Sequence, residues 1–184
     1  MEPHRTTREN DMAERLTPFN FQGWIDENRH LLKPPVGAKQ VWDASDDYVI
    51  MVVGGPNDRP DFHINETEEF FYQLEGDMIL KIKDEDGIRD VPIREGEVLL
   101  LPGNTAHSPR RPANTVGLVI ERKRAEQHVD QVLWFCPSCE SELHSESFHV
   151  TDLAGQLKPL IETFYGSEDQ RTCGNCGAVM AVPD

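Results

Sequence analysis

Three side chains near the middle of the chain are of the types that bind a catalytic metal ion: His63, Glu69 and His107. Two imidazoles and one carboxylate on one face of an octahedron suit a mononuclear iron(II) site, because the opposite face stays open for substrate and O₂. Each residue by itself reads as an ordinary core or surface residue, so the prediction depends on all three reaching one ion. Glu68 is the competing carboxylate, but neighbouring residues of a strand point to opposite faces, which favours Glu69.

Four cysteines form a second group with metal-ligand spacing, as two Cys-x-x-Cys pairs: Cys136 with Cys139, and Cys173 with Cys176. In a chain without an export signal, two such pairs predict a metal site and not disulfides. Four thiolates bind zinc or iron in a tetrahedral arrangement. We expect a structural site that holds the C-terminal segment together; electron storage or iron delivery is the functional alternative.

Size and composition limit the class of protein. The chain has 184 residues, which fit one domain with a small appendage, and its 13 Gly and 13 Pro favour strands and turns over a helical bundle. A net charge of -15 argues against nucleic acid as a partner, because an acidic surface repels phosphates. No stretch approaches the ~20 apolar residues of a membrane span, and residues 1–15 lack the apolar core of a secretion signal, so a cytoplasmic location is expected.

The hydrophobic pattern divides the chain into three parts. Residues 1–16 are polar and aperiodic, which predicts a disordered extension, and Met12 is an alternative start within it. Residues 19–32 have near-helical apolar spacing that Pro34-Pro35 ends. Short apolar runs then predict an antiparallel sandwich or barrel, at 48–53, 69–74, 78–83, 97–101 and 116–121. Further on, a helical stripe from Leu153 to Phe164 contains Pro159, which predicts a kink or break.

The first metal-ligand stretch resembles the first of the two paired motifs of the cupin superfamily. Cupins have His-x-His-x3-Glu-x6-Gly, and this chain has His63-x-Asn65-x3-Glu69-x6-Gly76. Asn65 stands where many cupins have another histidine ligand, so three protein ligands are expected instead of four.

The second stretch resembles the second cupin motif, with Gly96, Pro102 and His107 at the cupin spacing. Asn104 replaces a glycine of that motif, and Arg111 replaces its final asparagine. The resemblance implies a mainly β fold: a single cupin, which is a double-stranded β-helix or jelly-roll-like barrel, with a small C-terminal helical and metal-knuckle extension. The expected domains are a disordered extension at 1–16, a cupin catalytic domain at 17–124, and an extension with the four-cysteine site at 125–184.

A closer resemblance covers nearly the whole chain from Thr17 onward. Residues 19–21, 31–37, 53–57, 68–74, 107–109, 119–122 and 167–169, together with the two Cys-x-x-Cys pairs, resemble the bacterial form of 3-hydroxyanthranilate 3,4-dioxygenase. That family uses iron(II) and O₂ to open the ring of 3-hydroxyanthranilate. The product is 2-amino-3-carboxymuconate semialdehyde, on the kynurenine route from tryptophan to quinolinate and NAD. The resemblance also implies a homodimer.

The same resemblance implies roles for individual residues. Iron is expected on the three side chains named at the outset, with Glu69 also near the substrate. Arg59 and Glu121 are expected to be catalytic, and both of them, with Arg111, to contact substrate or O₂. Arginine suits bidentate recognition of the substrate carboxylate, and Glu121 suits an acid/base role. Exposed salt bridges are the simpler explanation of these residues, and Arg110 competes with Arg111.

One departure and two alternative functions remain. Ala38 stands where family members commonly have asparagine, which puts closure of a loop over the substrate, and therefore the turnover rate, in question.

A non-catalytic metal-binding cupin that binds a small aromatic acid is the first alternative function. A sugar-phosphate isomerase, whose arginines would hold phosphate, is the second.

Overall fold

The structure, a computed structural model, describes residues 16–33, 37–43, 45–151 and 153–183. The expectations for residues 1–15, including Met12, and for Pro34-Pro35 lie outside these residues. No helix in the described ranges is long and apolar enough to cross a membrane.

The described residues form two antiparallel sheets. The strands are β1 Ala38–Gln40, β2 Tyr48–Gly54, β3 Phe62–Ile64, β4 Glu69–Glu75, β5 Met78–Asp84, β6 Gly87–Ile93, β7 Val98–Leu101, β8 Ala106–Arg110, β9 Val116–Arg122, β10 Asp130–Phe135 and β11 Glu142–Phe148. One sheet has the order β1-β2-β9-β4-β7, and the other has the order β11-β10-β3-β8-β5-β6. The five strands predicted from apolar runs are all present, with ends that differ by one residue at most.

The chain crosses repeatedly between the two sheets. After β2 it passes to β3 in the second sheet, returns to the first for β4, and crosses again before β5, β7, β8, β9 and β10. This winding of two antiparallel sheets around a common interior is the double-stranded β-helix of the cupin fold. The predicted fold class is therefore confirmed.

The interior between the sheets is apolar at its centre. Phe71, Leu101 and Val119 of the first sheet pack against Met78, Leu80, Ile82 and Ile93 of the second. In β4 and β9 every second residue faces this interior, because successive side chains of a strand alternate between faces. The inward rows across these two strands are Glu69 with Glu121, Phe71 with Val119, and Gln73 with Gly117. Polar side chains thus flank an apolar centre.

The helices differ from their predictions in length and continuity. Helix α1 spans Phe21–Asn28, and a 3₁₀ turn, Arg29–Leu31, completes most of the stretch predicted as one helix. The side chain of Asn20 caps α1 by accepting a hydrogen bond from the amide of Gly23 at 2.8 Å. Helix α2, Leu153–Gly166, runs through Pro159 without a break, so a break at that proline is not seen. Helix α3 spans Glu168–Arg171.

The C-terminal extension is joined to the cupin body through the second sheet. Strand β10 pairs with β3, and β11 pairs with β10, so the sheet continues past the boundary predicted at residue 124. Trp134 of β10 stacks on Phe164 of α2, with ring centroids 4.2 Å apart. This contact packs the helix against the sheet.

Candidate metal centre

The three predicted metal ligands come from three different strands and meet inside the barrel. His63 of β3 and His107 of β8 are direct partners in the register of the second sheet. Glu69 begins β4 in the first sheet. One ligand atom from each residue can be chosen so that all three lie within 4.8 Å of one another. The cupin fold therefore places the three side chains where one ion can bind them.

The side chains of this cluster are buried and interact strongly through their charges. Glu69 is 7% exposed and His107 is 2% exposed, and His107 Nε2 lies 3.1 Å from Glu69 Oε2. Burial alone would raise the pKa of Glu69, but the charge and hydrogen bond of His107 outweigh it and lower that pKa. The pKa of His107 is raised, because Glu69 outweighs the effect of burial. The neighbouring Glu68 is exposed, as predicted from strand alternation.

Thr105 orients the ring of His107. The backbone carbonyl of Thr105 lies 2.9 Å from Nδ1 of His107, so this nitrogen donates to the carbonyl and Nε2 is the ring nitrogen that faces Glu69. The turn before it contains Asn104 at φ 60°, a left-handed conformation that asparagine tolerates better than most residues. This explains why Asn104 can replace the glycine of the cupin motif.

Asn65 connects the metal cluster to the second inward carboxylate. Its side chain is nearly fully buried, and its Nδ2 lies 3.4 Å from Glu69 Oε2 and 3.5 Å from Glu121 Oε2. The residue that stands in place of a fourth ligand is thus a neutral donor shared by two carboxylates.

Glu121 faces the interior directly opposite Glu69 and is 5% exposed. Burial and the charge of Glu69 raise its pKa, and Arg124 offsets part of that shift. Arg124 Nη1 lies 2.5 Å from Glu121 Oε2, while Arg124 Nη2 lies 2.7 Å from Asp130 Oδ2. The same Asp130 oxygen lies 2.7 Å from His63 Nε2. Sequence reasoning missed Arg124 and Asp130, because neither belongs to the cupin motifs.

Arg111 points into the barrel at the opposite end of the inward rows. It is 3% exposed, and its Nη1 donates a hydrogen bond to Gln73 Oε1 at 2.9 Å. Among the described residues its Nε has no hydrogen-bond partner. Burial lowers the pKa of Arg111 to about 10, which leaves it charged at neutral pH. Arg110 donates instead to the backbone carbonyl and the carboxylate of Asp58. Of these two arginines, considered as alternative substrate contacts, only Arg111 therefore points into the barrel.

Arg59 lies apart from this cluster. Its side chain is 49% exposed and lies 3.4 Å from Asp61 Oδ2. It borders an open surface cavity of about 450 Å³, whose other walls include Ile161 and Tyr165 of α2. Within the described residues no contact joins Arg59 to the metal cluster, so its role in substrate binding stays a prediction.

The four cysteines form a compact cluster in the extension. Cys136 Sγ lies 3.6 Å from Cys176 Sγ, and Cys139 Sγ lies 3.5 Å from Cys173 Sγ. None of the four forms a disulfide. Four sulfurs bound at about 2.3 Å to one tetrahedral ion lie roughly 3.8 Å apart, so the observed spacing is close to that of a tetrathiolate site.

The two cysteine pairs have the same backbone geometry. In each, the amide of the first cysteine donates to the carbonyl five residues later, and the carbonyl of that cysteine accepts from the residue four positions on. The residue after the second cysteine has a positive φ, 56° at Glu140 and 75° at Gly177. Glu140 tolerates this conformation while its carboxylate accepts hydrogen bonds from the amide of Ile88 and from Lys83. Two matching knuckles facing each other are the arrangement that a structural tetrahedral ion uses.

A protein-family model described as "3-HAO: 3-hydroxyanthranilic acid dioxygenase" matches residues 12–165. The chain belongs to this family.

Curated relatives in the 3-hydroxyanthranilic acid dioxygenase family are similar over most of their length. The 3-hydroxyanthranilate 3,4-dioxygenase of Jannaschia sp. (strain CCS1) is 53% identical over 90% of this chain and 92% of its own. The protein of the same name from Neurospora crassa is 50% identical over 89% of each chain. A solved structure, a cupin-2 domain containing protein from Shewanella frigidimarina, is 18% identical with a TM-score of 0.46, over 60% of this chain and 98% of that one.

Proposed function

We propose that this chain is an iron(II)-dependent dioxygenase that opens the ring of 3-hydroxyanthranilate with O₂ to form 2-amino-3-carboxymuconate semialdehyde. The observation that carries the proposal is the meeting of His63, Glu69 and His107 within 4.8 Å in a member of the 3-hydroxyanthranilic acid dioxygenase family. The proposed reaction adds both atoms of O₂ to the substrate. It therefore needs no external reductant.

The residues present fit an iron(II) ion. Two imidazoles and one carboxylate form the facial set found in non-haem iron oxygenases. Asn65 Nδ2 donates to carboxylates and leaves the protein ligands at three. The buried carboxylates of Glu69 and Glu121 face each other, and a nearby dication would relieve their repulsion. When bound, iron(II) supplies the activation of O₂ that aromatic ring opening requires.

The inward rows suggest how the substrate is held. Glu69 and Gln73 are four residues apart in β4, which places their Cα atoms roughly 13 Å apart. Arg111 is hydrogen-bonded at the Gln73 end, and the metal ligands gather at the Glu69 end. A substrate carboxylate on Arg111 would direct the rest of the molecule toward the metal ligands. The buried guanidinium binds the carboxylate strongly because water is excluded there.

Glu121 is proposed to accept the proton of the substrate's ring hydroxyl. It is buried, faces the same interior as Glu69, and has a raised pKa because of burial and the charge of Glu69. A carboxylate with a raised pKa is a better proton acceptor near neutral pH than an ordinary one. Arg59 is proposed as a further substrate contact, on the family resemblance alone.

The cysteine cluster is proposed to hold a structural zinc or iron ion. The matching knuckles and the sulfur spacing support this assignment. Hydrogen bonds with Ser141 and Asn175 lower the pKa of Cys139 to about 5, while the neighbouring thiols raise the pKa of Cys176. A bound metal cation would favour the thiolate form of all four cysteines. Four reduced cysteines also suit the reducing cytoplasm, which is the proposed location.

A homodimer is proposed through the outer face of the first sheet. Val98 and Leu100 of β7 are 59% and 55% exposed. They lie beside Tyr72 and Phe70 in the register of the sheet, and those lie beside Leu118 and Ile120. The exposed apolar side chains of β7, with Phe70 and Ile120 beside Leu100, suit a second copy of the same surface across a two-fold axis.

An oxygen-electrode assay with 3-hydroxyanthranilate, added iron(II) and measured metal content tests the proposed function. We expect one O₂ consumed per substrate, with little uptake for 2-aminophenol, which lacks the carboxylate that Arg111 would bind. Glu68→Gln is the matched control for Glu69→Gln, since the two carboxylates are adjacent but only Glu69 is buried. Tight binding of 3-hydroxyanthranilate without O₂ uptake would instead support a non-catalytic binding protein.

A further inference from the structure

The buried polar side chains around the metal cluster form one continuous chain of contacts. From Glu69 it runs through Asn65, Glu121, Arg124 and Asp130 to His63. The chain begins and ends on metal ligands, and it passes through the proposed proton acceptor on the way. Arg124 is the cation within it, because the other non-ligand members are two carboxylates and a neutral amide.

The guanidinium of Arg124 is hydrogen-bonded to Asp130 on one side and to Glu121 on the other. Its Nε and Nη2 form a fork on the carboxylate of Asp130, at 2.9 Å and 2.7 Å. Its Nη1 donates to Glu121 Oε2 at 2.5 Å and to the carbonyl of Arg122 at 3.0 Å. The side chain is only 5% exposed, so these contacts are protected from water.

Asp130 transmits this constraint to a metal ligand. Its Oδ2 contacts both Arg124 Nη2 and His63 Nε2, each at 2.7 Å, and its side chain is fully buried. A carboxylate that contacts one ring nitrogen of a ligating histidine fixes the ring so that its other nitrogen can face the metal. The guanidinium of Arg124 holds the Asp130 carboxylate in the orientation that contacts His63.

We propose that Arg124 is the positioning residue of this centre, which holds Glu121 in place on one side and, through Asp130, the ring of His63 on the other. The proposed effect of Arg124 on catalysis, through Glu121, rests on the proposed function. Its proposed effect on metal binding, through Asp130 and His63, depends only on the contacts described above.

The balance of buried charge supports this assignment. Glu69, Glu121 and Asp130 bring three negative charges, and Arg111 and Arg124 bring two positive ones. A bound dication would give this set a net charge of +1, which one substrate carboxylate would neutralise. Without Arg124 the metal-loaded set would be neutral, and an anionic substrate would leave a net negative charge in a buried site, which is costly.

Arg124→Lys tests the inference, with Arg122→Gln as control because the Arg122 side chain is exposed. Lysine keeps the charge but cannot form the fork on Asp130 and reach Glu121 together. The first readout is binding of Mn(II) alone, followed by the EPR signal of the free ion. This hard ion suits the nitrogen and oxygen ligands and not the thiolates. We expect Mn(II) binding to weaken roughly 10–100-fold, and kcat for O₂ uptake to fall by a similar factor.

Arg122→Gln is expected to stay within about twofold of the unmodified protein on both readouts. Arg124→Lys within that same limit, in a protein of unchanged thermal midpoint, would overturn the inference. If Arg124→Lys does not fold, Asp130→Asn decides instead. That substitution keeps the side-chain volume and must weaken Mn(II) binding, and normal binding would overturn the inference equally.

Double variants separate positioning from a general structural role. If Arg124 acts on catalysis through Glu121, adding Arg124→Lys to Glu121→Gln should lower kcat little further. If Arg124 acts on metal binding through Asp130, adding Arg124→Lys to Asp130→Asn should weaken Mn(II) binding little further. Additive losses in both cycles would contradict the inference, because independent sites add. If the unmodified protein shows no O₂ uptake, the proposed function fails, while the Mn(II) measurements still decide whether Arg124 positions the ligands.

Discussion

Replacing Gly117 with alanine tests whether Arg111 is placed to bind the substrate carboxylate. A Cβ at Gly117 would lie 2.6 Å from Arg111 Nη1, 2.9 Å from Arg111 Nη2 and 2.9 Å from Gln73 Oε1. Ordinary contacts begin near 3.4 Å, so the guanidinium must retreat by about 0.8 Å or lose its hydrogen bond to Gln73. The substitution therefore moves Arg111 while leaving every charge of the site in place.

The expected loss follows from the strength of the interaction that is displaced. A hydrogen bond to a charged group contributes roughly 1.5–3 kcal/mol, which corresponds to about 10–150-fold in binding. A misplacement of about 1 Å at a positioning group can cost ~100-fold. We expect kcat/KM for 3-hydroxyanthranilate to fall roughly 10–100-fold, mostly through KM. Mn(II) binding should change little, because the metal ligands lie two inward rows away.

Steady-state O₂ uptake at varied substrate concentration measures this loss, and thermal unfolding reports the strain of overpacking, about 1–3 kcal/mol, separately. Gly166→Ala is the matched control, because a Cβ there meets no atom within 4 Å. If Gly117→Ala is folded and its kcat/KM is within about twofold of the unmodified protein, Arg111 does not bind the substrate in the position that the structure shows.

The remaining predictions concern the other parts of the site. Glu69→Gln should weaken Mn(II) binding by more than the ~100-fold typical of outer-shell changes, and Glu68→Gln should not; equal effects would remove the ligand assignment. Cys173→Ser should lower the thermal midpoint by roughly 6–12 °C, as a loss of about 3 kcal/mol does in a chain of this size, with Mn(II) binding retained; the reverse pattern would favour a functional role. If Glu121 is the proton acceptor, kcat/KM should rise with pH as its carboxyl loses its proton, and Glu121→Gln should flatten this rise; an unchanged profile argues against a proton acceptor there. The stability of the metal-free protein should depend on pH in the opposite direction. The raised pKa of Glu121 stabilises the folded state at low pH, and this stabilisation is lost as pH rises through that pKa. Leu100→Asp should convert a dimer to a monomer in light scattering, and a dimer that persists would exclude this sheet face.

The cupin motifs predicted the metal ligands because their spacing reflects fixed positions in the fold. His63 and Glu69 flank the crossing from β3 to β4, and His107 lies on β8 beside β3. The strands that bear the histidines were themselves missed. Phe62–Ile64 is only three residues long, and Ala106–Arg110 contains a proline, so neither has the alternating apolar pattern that identifies a strand.

The surroundings of the ligands were less predictable, since they depend on contacts between distant parts of the chain. Asp130 lies 67 residues from His63, and its position as first residue of β10 becomes meaningful only once β10 is paired with β3. Arg124 follows Glu121 by three residues just after the end of β9, in the run Arg122-Lys123-Arg124, and a run of cations carries no signal that one of them is buried. The partial signal for Arg111 over Arg110 came from the family pattern, and burial of Arg111 agrees with it.

The iron assignment is tested most directly by measuring iron content and O₂ uptake on the same samples of the unmodified protein and of His107→Ala. We expect iron(II) at the nitrogen and oxygen site to accompany one O₂ consumed per 3-hydroxyanthranilate. We expect His107→Ala to lose both while the metal on the four cysteines stays bound. Undiminished ring opening by His107→Ala, or by the unmodified protein without iron at this site, would contradict the iron assignment.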